Sequence, residues 1–356
     1  MSDVPDRVPD EVLDDLRHRL RRRRPVPVVA GEDWSRGVDP GALEELLTYW
    51  AEEYDWRAAE DRIRALPWAR AAGLRVVHQR AAADDAPVVV LLHGWPDSVL
   101  RFERVLPLLG DVHVVVPALP GYPLSGSPGM AGARMAEPVA ASLAALGHSR
   151  YVVSGGDIGT SVAEALARLA PDRVAALHLT DVPSRALALV PESERTPEER
   201  TFADEVRRWT EAEGAYMAEQ ATKPATLAVG LGDSPAGLAA WIVEKLRAWS
   251  DCGGHVETVF PRDDLLTWVT LYWVTGAIGT SFAPYAERLP PRPERVAAPT
   301  AVSLFPKDLL HAPRALAERT FDVRVWDDGQ PSGGHFAAWE RPEAFVASLR
   351  AAIALT

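Results

Sequence analysis

One stretch, residues 151–170, constrains the fold of this chain more than any other. It reads YVVSGGDIGTSVAEALARLA, and its first four residues are typical of a β-strand that runs into a Gly-Gly-Asp-Ile-Gly turn. Apolar Val162, Leu166 and Leu169 then recur at spacings of four and three residues, which predicts a helix. The glycines around Asp157 allow a strained turn that exposes this side chain above a sheet. The stretch therefore predicts a strand, a sharp elbow and a helix.

The central residue of the elbow, Asp157, suggests a nucleophile. A carboxylate can attack carbon and form an ester through its own oxygen, which suits alkylating substrates such as epoxides or alkyl halides. The alternative is that Asp157 only caps the helix after an ordinary tight turn, because Asp is a favoured residue at both positions. The rest of the sequence favours the catalytic interpretation.

Composition limits the class of protein. A chain of 356 residues with 47% hydrophobic residues suits one large α/β domain with additions, or two domains. The net charge of -12 argues against a nucleic-acid partner. The single cysteine, Cys252, cannot form an internal disulfide, which fits a reducing compartment. A polar N-terminus and the lack of a run of ~18 apolar residues predict no signal peptide, no membrane span and a cytoplasmic location.

Strands and helices alternate along the middle of the chain. Strand patterns at residues 74–79, 86–94, 112–116, 151–154 and 174–180 have helical patterns between most of them. This alternation predicts an α/β fold with a doubly wound, mostly parallel sheet. Before it, residues 10–24 and 41–64 each predict one helix, and the aromatic residues of the second are interpreted as packing that also favours a homodimer.

The remaining chain divides around that sheet. From about residue 184 to 297 the patterns are helical and rich in aromatic residues, which predicts a helical cap, and Pro-rich residues 289–299 predict the linker back to the core. Strands are predicted again at residues 300–305 and 323–326. The predicted organisation is an N-terminal helical segment (1–73), a core in two parts (74–183 and 298–356) and the cap (184–297).

Three residues in chain order resemble the catalytic triad of α/β-hydrolases, in which the nucleophile is followed by an acid and then a histidine. Asp157 is followed by Asp308, just after a predicted strand, and by His335, on a Gly-rich loop after the next strand. Each has a bland alternative, a helix-capping carboxylate for Asp308 and a structural loop histidine for His335. His93 suggests a residue that braces a loop, and His178 a core histidine. No zinc-binding or nucleotide-binding motif occurs, so no metal and no cofactor are expected.

Several motifs together resemble one family. HGWPDS, GGDIGT, EGAYMAEQATKPAT, GDSPAGLAAWIVEK, LYWVTGAI, LFPKDLLH and GGHFAAWE are similar to the microsomal-type epoxide hydrolases, α/β-hydrolases with an extra N-terminal segment. LLTYWAEEYDW resembles that segment, so the resemblance covers nearly the whole chain. It implies that Asp157 is the nucleophile, His335 the base that activates water, and Asp308 the acid that orients it.

The resemblance also implies roles for residues around the nucleophile. Tyr216 and Tyr285 match two cap tyrosines that donate hydrogen bonds to the epoxide oxygen, although aromatic packing is the alternative for both. Relatives commonly have Trp after the nucleophile, where this chain has Ile158. The backbone N–H groups of Ile158 and Trp95 can still form an oxyanion hole, which needs no side chain. Trp95, Pro96 and Ile158 are expected to contact the substrate.

These residues predict hydrolysis of an epoxide to a vicinal diol through an ester on Asp157. The chain also resembles the epoxide hydrolases of enediyne antibiotic pathways, which implies an aryl- or vinyl-substituted epoxide on a polyketide. One alternative is a haloalkane dehalogenase, but Ile158 removes the indole N–H that would hold a halide. The other is a non-catalytic protein of the same fold that binds a small molecule, for which all three triad residues would be unnecessary.

Overall fold

The computed structural model describes residues 3–29, 34–287 and 294–356, and within them the chain forms an eight-stranded sheet. The strands are β1 (Trp68–Ala71), β2 (Leu74–Gln79), β3 (Val88–Leu92), β4 (His113–Pro117), β5 (Tyr151–Gly155), β6 (Val174–Leu179), β7 (Val296–Ser303) and β8 (Phe321–Asp327). Their order across the sheet is β1-β2-β4-β3-β5-β6-β7-β8.

Most of the sheet is parallel. Strand β2 pairs antiparallel with β1 and β4, and every other neighbouring pair is parallel. Strands β3, β4 and β5 are almost entirely buried, as expected of Val-rich strands that have both faces covered. The predicted α/β fold with a mostly parallel sheet is therefore confirmed. The β1 strand, which forms a hairpin with β2, was not predicted.

Helices precede, connect and cover the strands. They are α1 (Asp10–Arg21), α2 (Pro40–Glu52), α3 (Trp56–Arg64), α4 (Ala136–Ala145), α5 (Ile158–Leu169), α6 (Pro197–Glu213), α7 (Ala215–Thr222), α8 (Pro224–Asp233), α9 (Pro235–Ala248), α10 (Arg262–Thr275), α11 (Ala283–Ala286), α12 (Arg314–Thr320), α13 (Ala337–Glu340) and α14 (Pro342–Ile353). Helices α6 to α11 follow β6 without an intervening strand, where the sequence predicted helical structure.

The N-terminal helices correct two predictions. Helix α1 ends at Arg21, three residues earlier than predicted. The single helix predicted over residues 41–64 is wrong, because the chain forms α2 and α3 with a break between them. Asp55 causes a new start, since its side chain accepts hydrogen bonds from the backbone N–H groups of Arg57 and Ala58.

The N-terminal helices pack on helices of the region between β6 and β7. Helices α1 and α2 contact α9, and α3 contacts α10. The Tyr54 hydroxyl lies 2.9 Å from the Thr267 hydroxyl on α10 in a buried contact. Trp50, Tyr54 and Trp56 are all buried within the chain, which confirms that they pack. The homodimer that these aromatic residues favoured stays a prediction.

The second part of the core begins earlier than predicted. Strand β7 starts at Val296, inside the predicted linker, of which residues 289–293 lie outside the described residues. It contains Pro299 at a shift in its pairing with β8, and such irregularities are where a strand tolerates proline.

None of the described helices is by itself long and apolar enough to span a membrane. Helices α8 and α9 meet the length and composition criteria only when taken together, and their axes are bent by 114° at the break between them.

Candidate active site

The predicted elbow is present between β5 and α5. Asp157 has a φ of +58°, a conformation that residues other than glycine rarely adopt and that marks strained functional sites. Glycines make the turn possible, because a Cβ on Gly159 would lie 2.2 Å from the carbonyl oxygen of Leu92. A Cβ on Gly94 would lie 2.4 Å from Asp157 Oδ1. The Asp157 side chain makes no N-cap hydrogen bond to the second or third residue of α5, which counts against its alternative role as a helix cap.

The Asp157 carboxylate is held from one side by the backbone. Its Oδ1 accepts a hydrogen bond of 2.8 Å from the N–H of Trp95, in the turn after β3, and the N–H of Ile158 also hydrogen-bonds to the carboxylate. Burial raises the pKa of Asp157 above its ordinary value, although the His335 charge and these backbone hydrogen bonds oppose the rise. Oδ1 therefore lies against the N–H of Trp95, and Oδ2 is the oxygen that faces His335.

His335 lies between two carboxylates. Its Nδ1 is 2.8 Å from Asp308 Oδ1, a hydrogen bond that aligns the ring, and its Nε2 is 3.8 Å from Asp157 Oδ2. Nε2 is buried and has no hydrogen-bond partner among the described residues. The alternatives for His335 and Asp308, a structural loop histidine and a helix cap, do not account for an unpaired ring nitrogen aimed at Asp157.

Asp308 and His335 shift each other's pKa. Burial lowers the pKa of His335, but the charge and hydrogen bond of Asp308 outweigh burial and raise that pKa above its ordinary value. Burial likewise raises the pKa of Asp308, yet interactions with His335 outweigh it and hold that pKa below its ordinary value. The geometry therefore favours an imidazolium stabilised by Asp308 whenever His335 takes up a proton.

The loop that carries His335 is braced by groups that the sequence analysis did not identify. The backbone N–H of His335 donates to the carbonyl oxygen of Trp249 at 2.8 Å. Glu340, on α13, accepts hydrogen bonds from the N–H groups of Gly334 and Phe336 at 3.0 and 2.9 Å. These contacts fix the loop independently of the imidazole.

A buried ion pair below the site was also missed. Arg101 and Asp97 have side chains 3% and 0% exposed and are joined by a salt bridge. Asp97 Oδ1 accepts the N–H of Gly94 at 2.8 Å, and Arg101 donates to the carbonyl oxygen of His335. The pair therefore connects the turn after β3 to the histidine loop. Asp97 lies in the HGWPDS motif but was assigned no role, and Arg101 carried no signal because its contact with His335 spans 234 residues of the chain.

The two predicted tyrosines lie close together on separate helices, Tyr216 on α7 and Tyr285 on α11. Their rings are 5.9 Å apart, centre to centre, and both side chains are buried. The Trp95 ring stacks on Tyr216 at 5.3 Å and meets Tyr285 edge-on at 6.1 Å. Burial raises the pKa of Tyr285 well above its ordinary value, so this hydroxyl stays protonated at neutral pH.

A cavity of about 1170 Å³ opens on these groups. Its walls include Asp157, Ile158, Tyr216, Tyr285, Asp308 and His335, and also the apolar side chains of Trp209, Met217, Leu309 and Leu310. The structure thus brings the predicted nucleophile, acid, histidine and tyrosines to one chamber. Trp95 and Pro96 are not among the residues that line it, so their contact with a substrate stays a prediction.

Other polar residues near the site have definite places. His93 braces a loop as predicted, since its Nε2 accepts the N–H of Leu119 at 3.2 Å. His178 lies in the core with its Nδ1 2.9 Å from the Ser154 hydroxyl. Asp181, just after β6, lines the cavity and was not identified from the sequence. In the part of the chain that the structure describes, no group of three or more His, Cys, Asp or Glu side chains could hold a metal ion.

Comparison with known proteins gives a consistent result. Residues 2–102 match the family described as epoxide hydrolase N terminus, and residues 87–218 match the α/β hydrolase fold. A Stigmatella aurantiaca (strain DW4/3-1) protein whose name assigns it to the epoxide hydrolases is 35% identical, covering 96% of this chain and 82% of the relative. The juvenile hormone epoxide hydrolase of Bombyx mori is 31% identical, covering 97% of this chain and 84% of the relative.

A solved structure agrees over the same extent. The epoxide hydrolase of Aspergillus niger superimposes with a TM-score of 0.87 at 30% sequence identity, covering 98% of this chain and 94% of that chain. The predicted resemblance to the epoxide hydrolases and the predicted fold are both confirmed, whereas the resemblance to the enediyne-pathway enzymes stays a prediction. Because these relatives match nearly its whole length, the chain belongs to the epoxide hydrolase family of the α/β-hydrolase fold.

Proposed function

We propose that this chain hydrolyses an epoxide to a vicinal diol through a covalent ester on Asp157. One observation carries the proposal: His335, aligned by Asp308, presents an unpaired Nε2 3.8 Å from Asp157 Oδ2. A carboxylate nucleophile with a separate base beside it suits a reaction that first forms an ester and then hydrolyses it. A protein that only bound a small molecule would gain nothing from this arrangement.

In the first half-reaction Asp157 Oδ2 attacks a carbon of the epoxide. A bond forms between Oδ2 and that carbon while the bond from the carbon to the epoxide oxygen breaks. The released oxygen takes a proton from Tyr216 or Tyr285, the two hydroxyls on the cap side of the cavity. Oδ1 becomes the carbonyl oxygen of the ester, because it already lies against the N–H of Trp95.

In the second half-reaction His335 Nε2 removes a proton from water, whose oxygen attacks the carbonyl carbon of the ester. The charge that develops on Oδ1 is stabilised by the N–H groups of Trp95 and Ile158, and the imidazolium by Asp308. The bond from the carbonyl carbon to Oδ2 then breaks, and the departing alkoxide takes the proton from His335. The acid proton left on Asp157 restores the tyrosine hydroxyl.

For the substrate we propose an aryl- or vinyl-substituted epoxide, of which an epoxide on an enediyne polyketide is one example. The cavity of about 1170 Å³ exceeds the common range for small-molecule sites, about 300–1,000 Å³, and Trp209 and Met217 offer it apolar surface. We expect kcat/KM to be much larger for styrene oxide than for small aliphatic epoxides. A large preference for the aliphatic substrates would rule out this substrate class.

The reaction is tested by trapping the ester. His335→Gln removes the base but leaves the nucleophile, so incubation with styrene oxide should add the mass of the whole epoxide to the protein, and peptide mapping should place it on Asp157. The double variant Asp157→Asn, His335→Gln is the matched control and should gain no mass.

The same experiment separates the alternatives. A bromoalkane that leaves an alkyl group without bromide on Asp157, with no adduct from the epoxide, would indicate a dehalogenase and contradict the proposal. No adduct from styrene oxide, from larger aryl epoxides or from the bromoalkane would indicate a binding protein.

A further inference from the structure

Asp181 is a titratable residue of the cavity that the proposed reaction does not use. It follows β6 by two residues, so it lies at the same edge of the sheet as Asp157, at the end of β5, and Asp308, after β7. Its side chain lines the same cavity as theirs. Neither the elbow nor the triad requires a third aspartate at this place.

One oxygen of Asp181 is committed to the elbow. Its Oδ1 accepts the backbone N–H of Asp157 at 3.1 Å and also accepts the hydroxyl of Thr160. These two contacts fix the plane of the carboxyl group. Its other oxygen, Oδ2, has no hydrogen-bond partner in the described part of the chain. This oxygen is not sealed from solvent. The side chain therefore presents Oδ2 to the cavity.

The surroundings decide what Oδ2 can bind. Val182, Pro183 and Ile158 in the same cavity wall provide no side-chain hydrogen-bond donor, and Arg168 and Arg185, which also line the cavity, are each paired with Glu164. Burial, then the charges of Asp308 and Asp157, raise the pKa of Asp181 to about 7. An anionic substituent would be repelled by these carboxylates, whereas a hydroxyl can donate to a carboxylate or accept from a carboxylic acid. A cavity wall with such a group discriminates against substrates that leave it unpaired.

We propose that Asp181 determines substrate specificity by binding, through Oδ2, a hydroxyl group carried by the epoxide close to its ring. This inference rests on the proposed epoxide hydrolysis and adds a polar substituent to the aryl or vinyl class. Binding at Oδ2 would orient the ring relative to Asp157, because the same carboxyl group holds the backbone of that nucleophile through Oδ1.

A matched pair of substrates tests the proposal. Phenylglycidol and β-methylstyrene oxide have the same skeleton and differ in a hydroxyl group, so the ratio of their kcat/KM values isolates its contribution. In the wild-type protein we expect the ratio to favour phenylglycidol by about tenfold or more, the effect of one hydrogen bond to a polar group. In Asp181→Ala the ratio should fall to near one.

The control is Thr160→Val, which removes the hydroxyl that donates to Asp181 Oδ1 and leaves Oδ2 in place. It should lower kcat/KM for both substrates by a similar factor and leave the ratio unchanged. The methyl ether of phenylglycidol adds a test in the wild-type protein alone, which decides the matter if Asp181→Ala does not fold. The ether keeps the oxygen but cannot donate, and it should lose most of the preference at a pH above 7.

The outcomes separate the two proposals. A wild-type ratio near one, or a ratio that survives in Asp181→Ala, would overturn the role of Asp181 while diol formation continued. The absence of diol from every epoxide in the wild-type protein would overturn the proposed function itself.

Discussion

The core and the helices between β6 and β7, which we propose form a cap, hold the side chains of the proposed reaction in different ways. In the core, Asp157, Asp308 and His335 are each fixed by hydrogen bonds to main-chain or carboxylate groups, at 2.7–2.8 Å. In the cap, Tyr216 and Tyr285 are held by aromatic contacts with each other and with Trp95, at 5.3–6.1 Å between ring centres.

Hydrogen bonding in one region and aromatic packing in the other predict which substitutions each region tolerates. A hydrogen bond fixes both the position and the direction of a side chain, and its loss leaves a buried polar group unpaired. Aromatic packing fixes position by shape, so a ring that keeps its shape keeps its place. We therefore expect core substitutions to act in full on one chemical step, and conservative cap substitutions to act only through the atom that is removed.

The largest effect is expected from Asp308→Asn. This change removes the charge that stabilises the His335 imidazolium, so hydrolysis of the ester should slow by about 10³–10⁴-fold and the ester should accumulate. His335 must be neutral to act as a base, and the Asp308 carboxylate raises its pKa above the ordinary value. In wild type, hydrolysis should thus rise with pH through a pKa above the ordinary value of histidine, and in the variant this rise should shift to lower pH.

Single-turnover kinetics across pH would measure both effects. Asp84→Asn is the matched control, since the Asp84 side chain is 95% exposed, and it should change neither rate nor pH profile. A variant profile that keeps its wild-type midpoint would show that Asp308 does not set the pKa of His335.

A smaller effect is expected from the cap. Tyr216→Phe and Tyr285→Phe keep the packed rings but remove one hydroxyl each, so each should slow formation of the ester by about 10²-fold, as for loss of one oxyanion donor. Hydrolysis of the ester should be little changed. Rapid-quench measurements of both half-reactions would test this, and thermal unfolding should stay close to wild type. Equal slowing of both steps would contradict the separation between cap and core.

The buried ion pair of Arg101 and Asp97 is expected to have the smallest effect on chemistry but a large effect on stability. Arg101→Met leaves the Asp97 charge buried without its partner and should lower the free energy of unfolding by about 3–5 kcal/mol. The exposed pair of Arg350 and Asp111 is the control, and Arg350→Ala should cost about 1 kcal/mol or less. Chemical denaturation measures both. Similar losses for the two variants would show that burial of the ion pair does not matter.

Much of this molecule could be predicted from local pattern. The elbow carries its information within residues 151–170, because a strand, closely spaced glycines and a helix can each be recognised from their own sequences. The order of Asp157, Asp308 and His335 followed from strand ends in the same way. The resemblance to a family added the two tyrosines, which composition alone would have assigned to packing.

What could not be predicted depends on contacts between distant parts of the chain. Asp181 gave no signal because its partner, the N–H of Asp157, lies 24 residues away in the turn after a different strand. Arg101 resembled an ordinary helical arginine until the fold placed it against the carbonyl oxygen of His335. The break before α3 was missed for a different reason: the apolar pattern continues across it and hid the local capping signal of Asp55.

We propose an ester on Asp157 that water opens at its carbonyl carbon. One turnover in water enriched in oxygen-18 would reveal where the oxygen of that water goes. With enzyme in excess over styrene oxide, we expect the label to enter the Asp157 carboxyl group and the diol to carry none. Peptide mass spectrometry of residues around Asp157 and mass analysis of the diol would give both answers. Label in the diol and none in Asp157 would show direct attack of water on the epoxide and would contradict the ester mechanism.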